Sequence, residues 1–160
     1  MALIPHNELV ARAWLVAAVD GLSASKVATT LPDPPWTDNE FVQIMQVGGS
    51  PNAELPIFEP VISVNCFALV AGSAKPPWGQ ANQLAEKIRA TCYNRRPAAA
   101  ATTLDLATLL GAAFAGYGGA LVRTVTPVSE PSRIPSDPSQ YAVYNLDLQF
   151  NWSASSEVYT

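Results

Sequence analysis

Residues 140–152, QYAVYNLDLQFNW, constrain the fold more than any other stretch. Ala142, Tyr144, Leu146, Leu148, Phe150 and Trp152 alternate with Val143, Asn145, Asp147, Gln149 and Asn151. A period of two belongs to a strand, whose successive side chains leave opposite faces. Such a strand is apolar on one side only. It needs neighbouring strands for its backbone groups and a covering layer for its apolar face, so the rest of the chain must supply both.

Two segments have the spacing of covering helices. From Asn7, which can cap, Glu8 sits in the first turn, and Leu9, Ala13, Val16 and Ala17 recur at helical spacing up to Gly21. In KPPWGQANQLAEKIRATCYN the prolines suit a helix start. Ala81, Leu84, Ala85, Ile88 and Cys92 form one stripe opposite Gln83, Glu86, Lys87 and Arg89. Strands are expected at Lys26–Leu31, Phe41–Val47 and Ala120–Val128, and in the run after Pro60, where Ile62, Val64, Cys66, Ala68 and Val70 face one way and Ser63 and Asn65 the other. Between Pro97 and Gly119 the period is uneven, and a short helix near Leu104–Leu110 followed by a loop is expected. The order lacks regular βα alternation. It predicts an α+β fold, a mixed or antiparallel sheet with helices packed mainly on one face. Residues 1–152 are read as a single domain and 153–160 as a flexible polar tail.

Gly48-Gly49 is the one glycine pair that invites a ligand reading. A phosphate loop needs a helix directly after its glycines, whereas here Ser50, Pro51, Asn52 and then Pro56 and Pro60 lead into another β-rich run. The pair therefore reads as the start of a long hairpin loop, Gly48 to Glu59. GYGG at Gly116–Gly119 precedes a strand instead of following one, which is the wrong order for a nucleotide motif.

With 160 residues the chain has the length of one domain; 49% of it is hydrophobic and only 14% charged, which leaves much neutral surface suited to assembly. A net charge of -4 argues against general nucleic-acid binding, and Arg95-Arg96 is too small a basic patch to offset it. Cys66 and Cys92 have no metal or CxxC spacing and read as core packing in a reducing compartment. The first residues lack a basic start, include Glu8 and Arg12, and are too short a run to span a bilayer, so neither export signal nor membrane anchor is expected; the Asn151-Trp152-Ser153 sequon then has no role.

Catalysis needs titratable groups gathered in one place. His6 is the single histidine, so neither a triad nor a zinc site can be assembled. Asp33 with Asp38, or Asp38 with Glu40, flank a proline turn and read as turn residues before cation ligands. No enzymatic activity is expected, and no catalytic, cofactor or metal residue is assigned. Trp36, Trp78 and Tyr117 leave open an aromatic pocket for a small ligand, against the simpler reading that they anchor core and loops.

The ordered set Thr30-Leu31-Pro32, Phe41-Val42, Val47-Gly48-Gly49, Pro60-Val61 and Pro131 through Pro135 resembles the tail terminator (tail completion) proteins of long-tailed bacteriophages, especially those of actinobacterial hosts. The likeness runs from the first helix to the last strand and lies in the order of elements. The chain departs from it at Ala98–Ala101 and in the apolar stretch up to Gly119. The resemblance implies a non-enzymatic ring, usually of six copies, in the tail and neck of a virion assembled in the host bacterial cytoplasm. Such a ring caps the tail tube, stops polymerisation of the tail tube protein, and joins the head-side connector or stopper protein. DNA would pass through the lumen without specific binding. On this reading the interface residues are Gly48, Gly49, Asn52, Glu54 and Phe58 in the hairpin and Asn145, Asp147 and Gln149 on the polar face of the last strand. A head-closure or connector ring, a minor tail protein of the same particle, and a small-ligand-binding α+β domain remain as alternatives.

Overall fold

The computed structural model describes residues 2–32, 39–70, 72–73, 75–93, 102–135 and 141–155. Its spine is the alternating segment, which forms β7, Ala142–Ala154. Seven strands make one sheet: β1 (Val27–Ala28), β2 (Glu40–Pro51), β3 (Phe58–Ala68), β4 (Thr102–Leu104), β5 (Ala120–Pro127), β6 (Ser132–Arg133) and β7, in the order β1-β2-β3-β7-β5-β4 with β6 also on β7. Among the described strands only β1 and β2 pair in parallel. The fold is α+β with a mixed sheet, as its pattern predicts.

Alternation decides which side is covered. Val42, Ile44, Ile62, Val64, Cys66, Leu146, Leu148, Phe150 and Trp152 are all buried, and they form one cluster with Leu9, Val10, Trp14 and Leu15 of α1 (Asn7–Ala18) and with Leu84, Ala85 and Ile88 of α2 (Trp78–Tyr93). Both long helices therefore cover the same face. Trp14 meets Phe150 edge to face at 5.5 Å, and Phe58 stacks on Trp152 at 4.4 Å, arrangements that add to area burial. A smaller cluster of Ala68, Ala81 and Ala142 closes the other end of α2 against the sheet.

The structure corrects several local expectations. His6, not Asn7, caps α1, its Nδ1 accepting from the Leu9 amide at 3.2 Å. Asn7 is freed to accept from Trp152 Nε1 at 2.9 Å and to donate to Gln46 at 3.1 Å. The buried stripe of α1 is broader than four residues, and Ala17 faces solvent. Lys26–Leu31 yields only the two-residue β1 after a 3-10 turn at Ala24–Lys26. Val70 lies beyond the end of β3 and is exposed. The short helix, α3 (Leu106–Leu110), is capped by Asp105 and preceded by β4, which the uneven period concealed. The connector after β5 contains β6, because Ser132 and Arg133 return to pair with Asn145 and Tyr144. Ser153 and Ala154 belong to β7, so the domain extends past 152; residues 156–160 of the expected tail lie outside the described residues.

The hairpin needs the largest correction. β2 continues through Gly48 and Gly49, which pair with Val61 and Pro60, as far as Pro51, so the loop is residues 52–57 and not Gly48 to Glu59. A bulge at Val47 shifts the register between Gln46 and Gly48. Gly49 has φ +127, and a Cβ there would stand 2.7 Å from the Glu59 carbonyl oxygen. Only glycine fits that position.

Candidate assembly surface

Among the described residues the second face of the sheet has no helix over it, although its row Phe41–Phe67–Val143 is largely buried. Its rows run across strands as Gln43–Asn65–Asn145, Met45–Ser63–Asp147 and Gly48–Val61–Gln149. Asn145 Nδ2 donates to Ser63 Oγ at 2.7 Å and to Asn65 Oδ1 at 2.9 Å, so this side chain is largely satisfied within its own sheet. Asn151 Nδ2 donates to Glu59 at 3.1 Å. The Asp147 amide donates to Ser129 Oγ at 2.8 Å, while its carboxylate points from a half-buried position on the same face, and Gln149 is exposed. In these three rows neutral amides and hydroxyls dominate, the kind of surface that is cheap to desolvate when its partners are supplied.

Beyond Ile44 the far half of β2 is an edge of the sheet, and the hairpin tip, residues 52–57, extends past the Pro51–Phe58–Trp152 row; the two together form an arm. From Met45 to Pro51 every residue of β2 is exposed, and among the described residues that stretch has no strand on the side away from β3. Asn52 shapes the tip, its Oδ1 accepting from the amides of Glu54 at 3.0 Å and Leu55 at 2.9 Å. This leaves Glu54 and Leu55 outside. Met45, Val47 and Leu55 are 56%, 52% and 56% exposed. Gly48, Gly49, Asn52 and Glu54 thus lie on the accessible part of the arm, whereas Phe58 is drawn into the core by Trp152. Sequence alone missed Met45 and Val47, because a strand of unknown length does not show where its covered part ends.

The base of the arm is fastened from beneath. The Gln46 amide, displaced by the bulge, donates to Glu8 Oε1 at 3.0 Å, and Asn7 holds the Gln46 side chain. Beside this joint lies a cleft of about 180 Å³ lined by His6, Glu8, Leu9, Arg12, Ala28, Thr29 and Phe114. Arg12 is only partly engaged in structure, its Nε being buried without a hydrogen-bond partner. Arg12 donates to the Ala24 carbonyl at 2.8 Å and stands 5.8 Å over Phe114, and desolvation draws its pKa down. Ligand pockets usually run to roughly 300–1,000 Å³, so the cleft is small for one.

Trp78 and Tyr117 have separate partners. Trp78 packs on Tyr144 with Arg133 5.1 Å over its ring, Tyr117 packs on Phe114, and Trp36 lies outside the described residues. So do Asp33, Asp38, Arg95, Arg96 and Ala98–Ala101. Among the described residues no group of three or more His, Cys, Asp or Glu side chains is placed to hold a metal ion, and no helix is long and apolar enough to cross a membrane. Cys66 and Cys92 are free thiols; burial pushes both up, Cys92 to about 11. No protein-family model and no curated protein sequence matches the chain.

Proposed function

We propose that the chain is a structural protein that assembles into a ring of tail-terminator type, usually six copies, which caps a phage tail tube and presents its other side to the head connector. The observation that carries this reading is the arm: an uncharged strand edge from Met45 to Pro51, uncovered among the described residues and fixed at its base by Glu8 and Asn7. An open strand edge held at its base is a means of reaching a neighbour, and soluble monomers ordinarily blunt such edges with charge. The uncovered neutral face beside it offers a second contact area. The order of elements that resembles the terminator proteins supplies the context, and a ring supplies two unlike faces for two unlike partners.

On this reading the role is mechanical and not catalytic. A charge of -4 per copy, repeated around a ring, leaves the lumen neutral to acidic, so that duplex DNA slides through without being held. The test is native mass spectrometry of the purified chain together with electron microscopy of tail tubes grown in its presence. Rings at tube ends and tubes of limited length are expected. A chain that stays monomeric and leaves tube growth unchanged would sink the proposal.

A further inference from the structure

Arg12 is a half-buried cation in the middle of α1, and among the described residues no anion faces it. Both ion pairs there belong to Arg89. One Arg12 Nη reaches the Ala24 carbonyl at 2.8 Å, while Nε is buried with no partner. The guanidinium also stands 5.8 Å over the Phe114 ring, a contact that attracts a cation but supplies no acceptor for its hydrogens. Burial lowers the Arg12 pKa, and no neighbouring acid offsets that effect. A charge drawn partly out of water and left without a counter-charge is unfavourable, so an anion placed beside it is favoured.

The cleft of about 180 Å³ lined by Arg12 gives an anion access. It is small for most ligands, but a cavity of roughly 150 Å³ accepts a benzene ring, so a ligand of a few heavy atoms fits. His6 and Thr29 line it as well and bring two donors. His6 Nδ1 accepts from the Leu9 amide at 3.2 Å, so the neutral ring carries its hydrogen on Nε2. The Thr29 carbonyl accepts from Gln43, and its hydroxyl has no partner among the described residues. Glu8 is the one acid of the cleft, and it takes the Gln46 amide on Oε1.

The geometry points to a carboxylate seat: a monocarboxylate of acetate or propionate size, either a free acid or the acidic side chain of a neighbouring chain, lies against the Arg12 guanidinium with His6 and Thr29 as flanking donors. A planar carboxylate matches the fixed fork of a guanidinium. Glu8 sets the charge limit, because a second negative group in the same small cleft disfavours a dianion such as phosphate.

His6 is the single histidine of the chain and lines the cleft, so its ring signals in nuclear magnetic resonance report occupancy directly. The folded chain is titrated with sodium acetate against sodium chloride at fixed pH and ionic strength. A saturable shift of the His6 signals is expected, weakened about tenfold or more in Arg12→Gln by the loss of a charge-assisted hydrogen bond. Inorganic phosphate is expected to bind more weakly. No saturable shift, or one that Arg12→Gln leaves unchanged, overturns the site; phosphate binding as tightly as acetate overturns its assignment to a monocarboxylate. If Arg12→Gln melts early, Thr29→Glu replaces it. Thr29 is exposed, and a tethered carboxylate there should exclude acetate, so acetate binding as in the wild type overturns the site. Sedimentation with and without acetate separates the two sources. An assembly that acetate disperses takes its carboxylate from a neighbouring chain, whereas association unchanged by bound acetate assigns the seat to a free acid. The titration needs only the folded chain, so this site and the ring reading fail separately.

Discussion

β7 and β2 are the longest strands of the sheet, 13 and 12 residues, and they reach that length by different means. β7 has a neighbour on each side, β3 on one and β5 with β6 on the other, and it buries a side chain at every second position from Leu146 to Ala154. β2 is buried only as far as Ile44; from Met45 onward, among the described residues, β3 is its one partner strand, with Asn7 and Glu8 holding Gln46 beside the bulge. β7 is made by the core. The far half of β2 is an exposed edge that the core does not account for.

The largest expected effect lies in β7. Leu148 is fully buried, and Leu148→Ala should cost about 2–5 kcal/mol by leaving a cavity, read as a clear fall in melting temperature. Val47→Ala, one row away in the arm, should leave the melt almost unchanged. Equal losses at the two sites would erase the distinction between core strand and arm. Gly49→Ala comes next. It forces a side chain into a positive φ against the Glu59 carbonyl, with an expected cost of about 1–3 kcal/mol, measurable by urea unfolding. A neutral result would mean that β2 does not continue past its bulge.

The joint between the two strands is a smaller matter. Asn7→Ala removes the acceptor of Trp152 Nε1 in β7 and the donor to Gln46 in β2, and about 1 kcal/mol of stability should go with it. Hydrogen exchange should rise at the arm base more than in β7, and a uniform rise would show that the arm is not separately anchored. The smallest effect on folding is expected at Asp147, half-buried on the uncovered face. Asp147→Lys should shift stability by about 0.5 kcal/mol. If this face is covered in the ring, the same change should impair assembly on tail tubes, and normal assembly would leave the arm as the only contact to consider.

Sequence alone determined what depends on neighbours along the chain. The alternation of Ala142 to Trp152, the helical stripe of Ala81, Leu84, Ala85 and Ile88, and the covered face of Ile62, Val64 and Cys66 are properties of period, and the core follows them residue by residue. Tertiary structure decided what depends on residues far apart. The reach of β2 past Gly48-Gly49 is set by Val61 and Pro60 across the ladder, because glycines signal a turn locally and lose that meaning once a partner strand takes their hydrogen bonds. The return of Ser132 and Arg133 to β7 after four residues of the proline-rich connector, and the choice of His6 over Asn7 as cap, have the same cause. Asn7 was needed by Trp152, 145 residues away in sequence, and no local pattern records that demand.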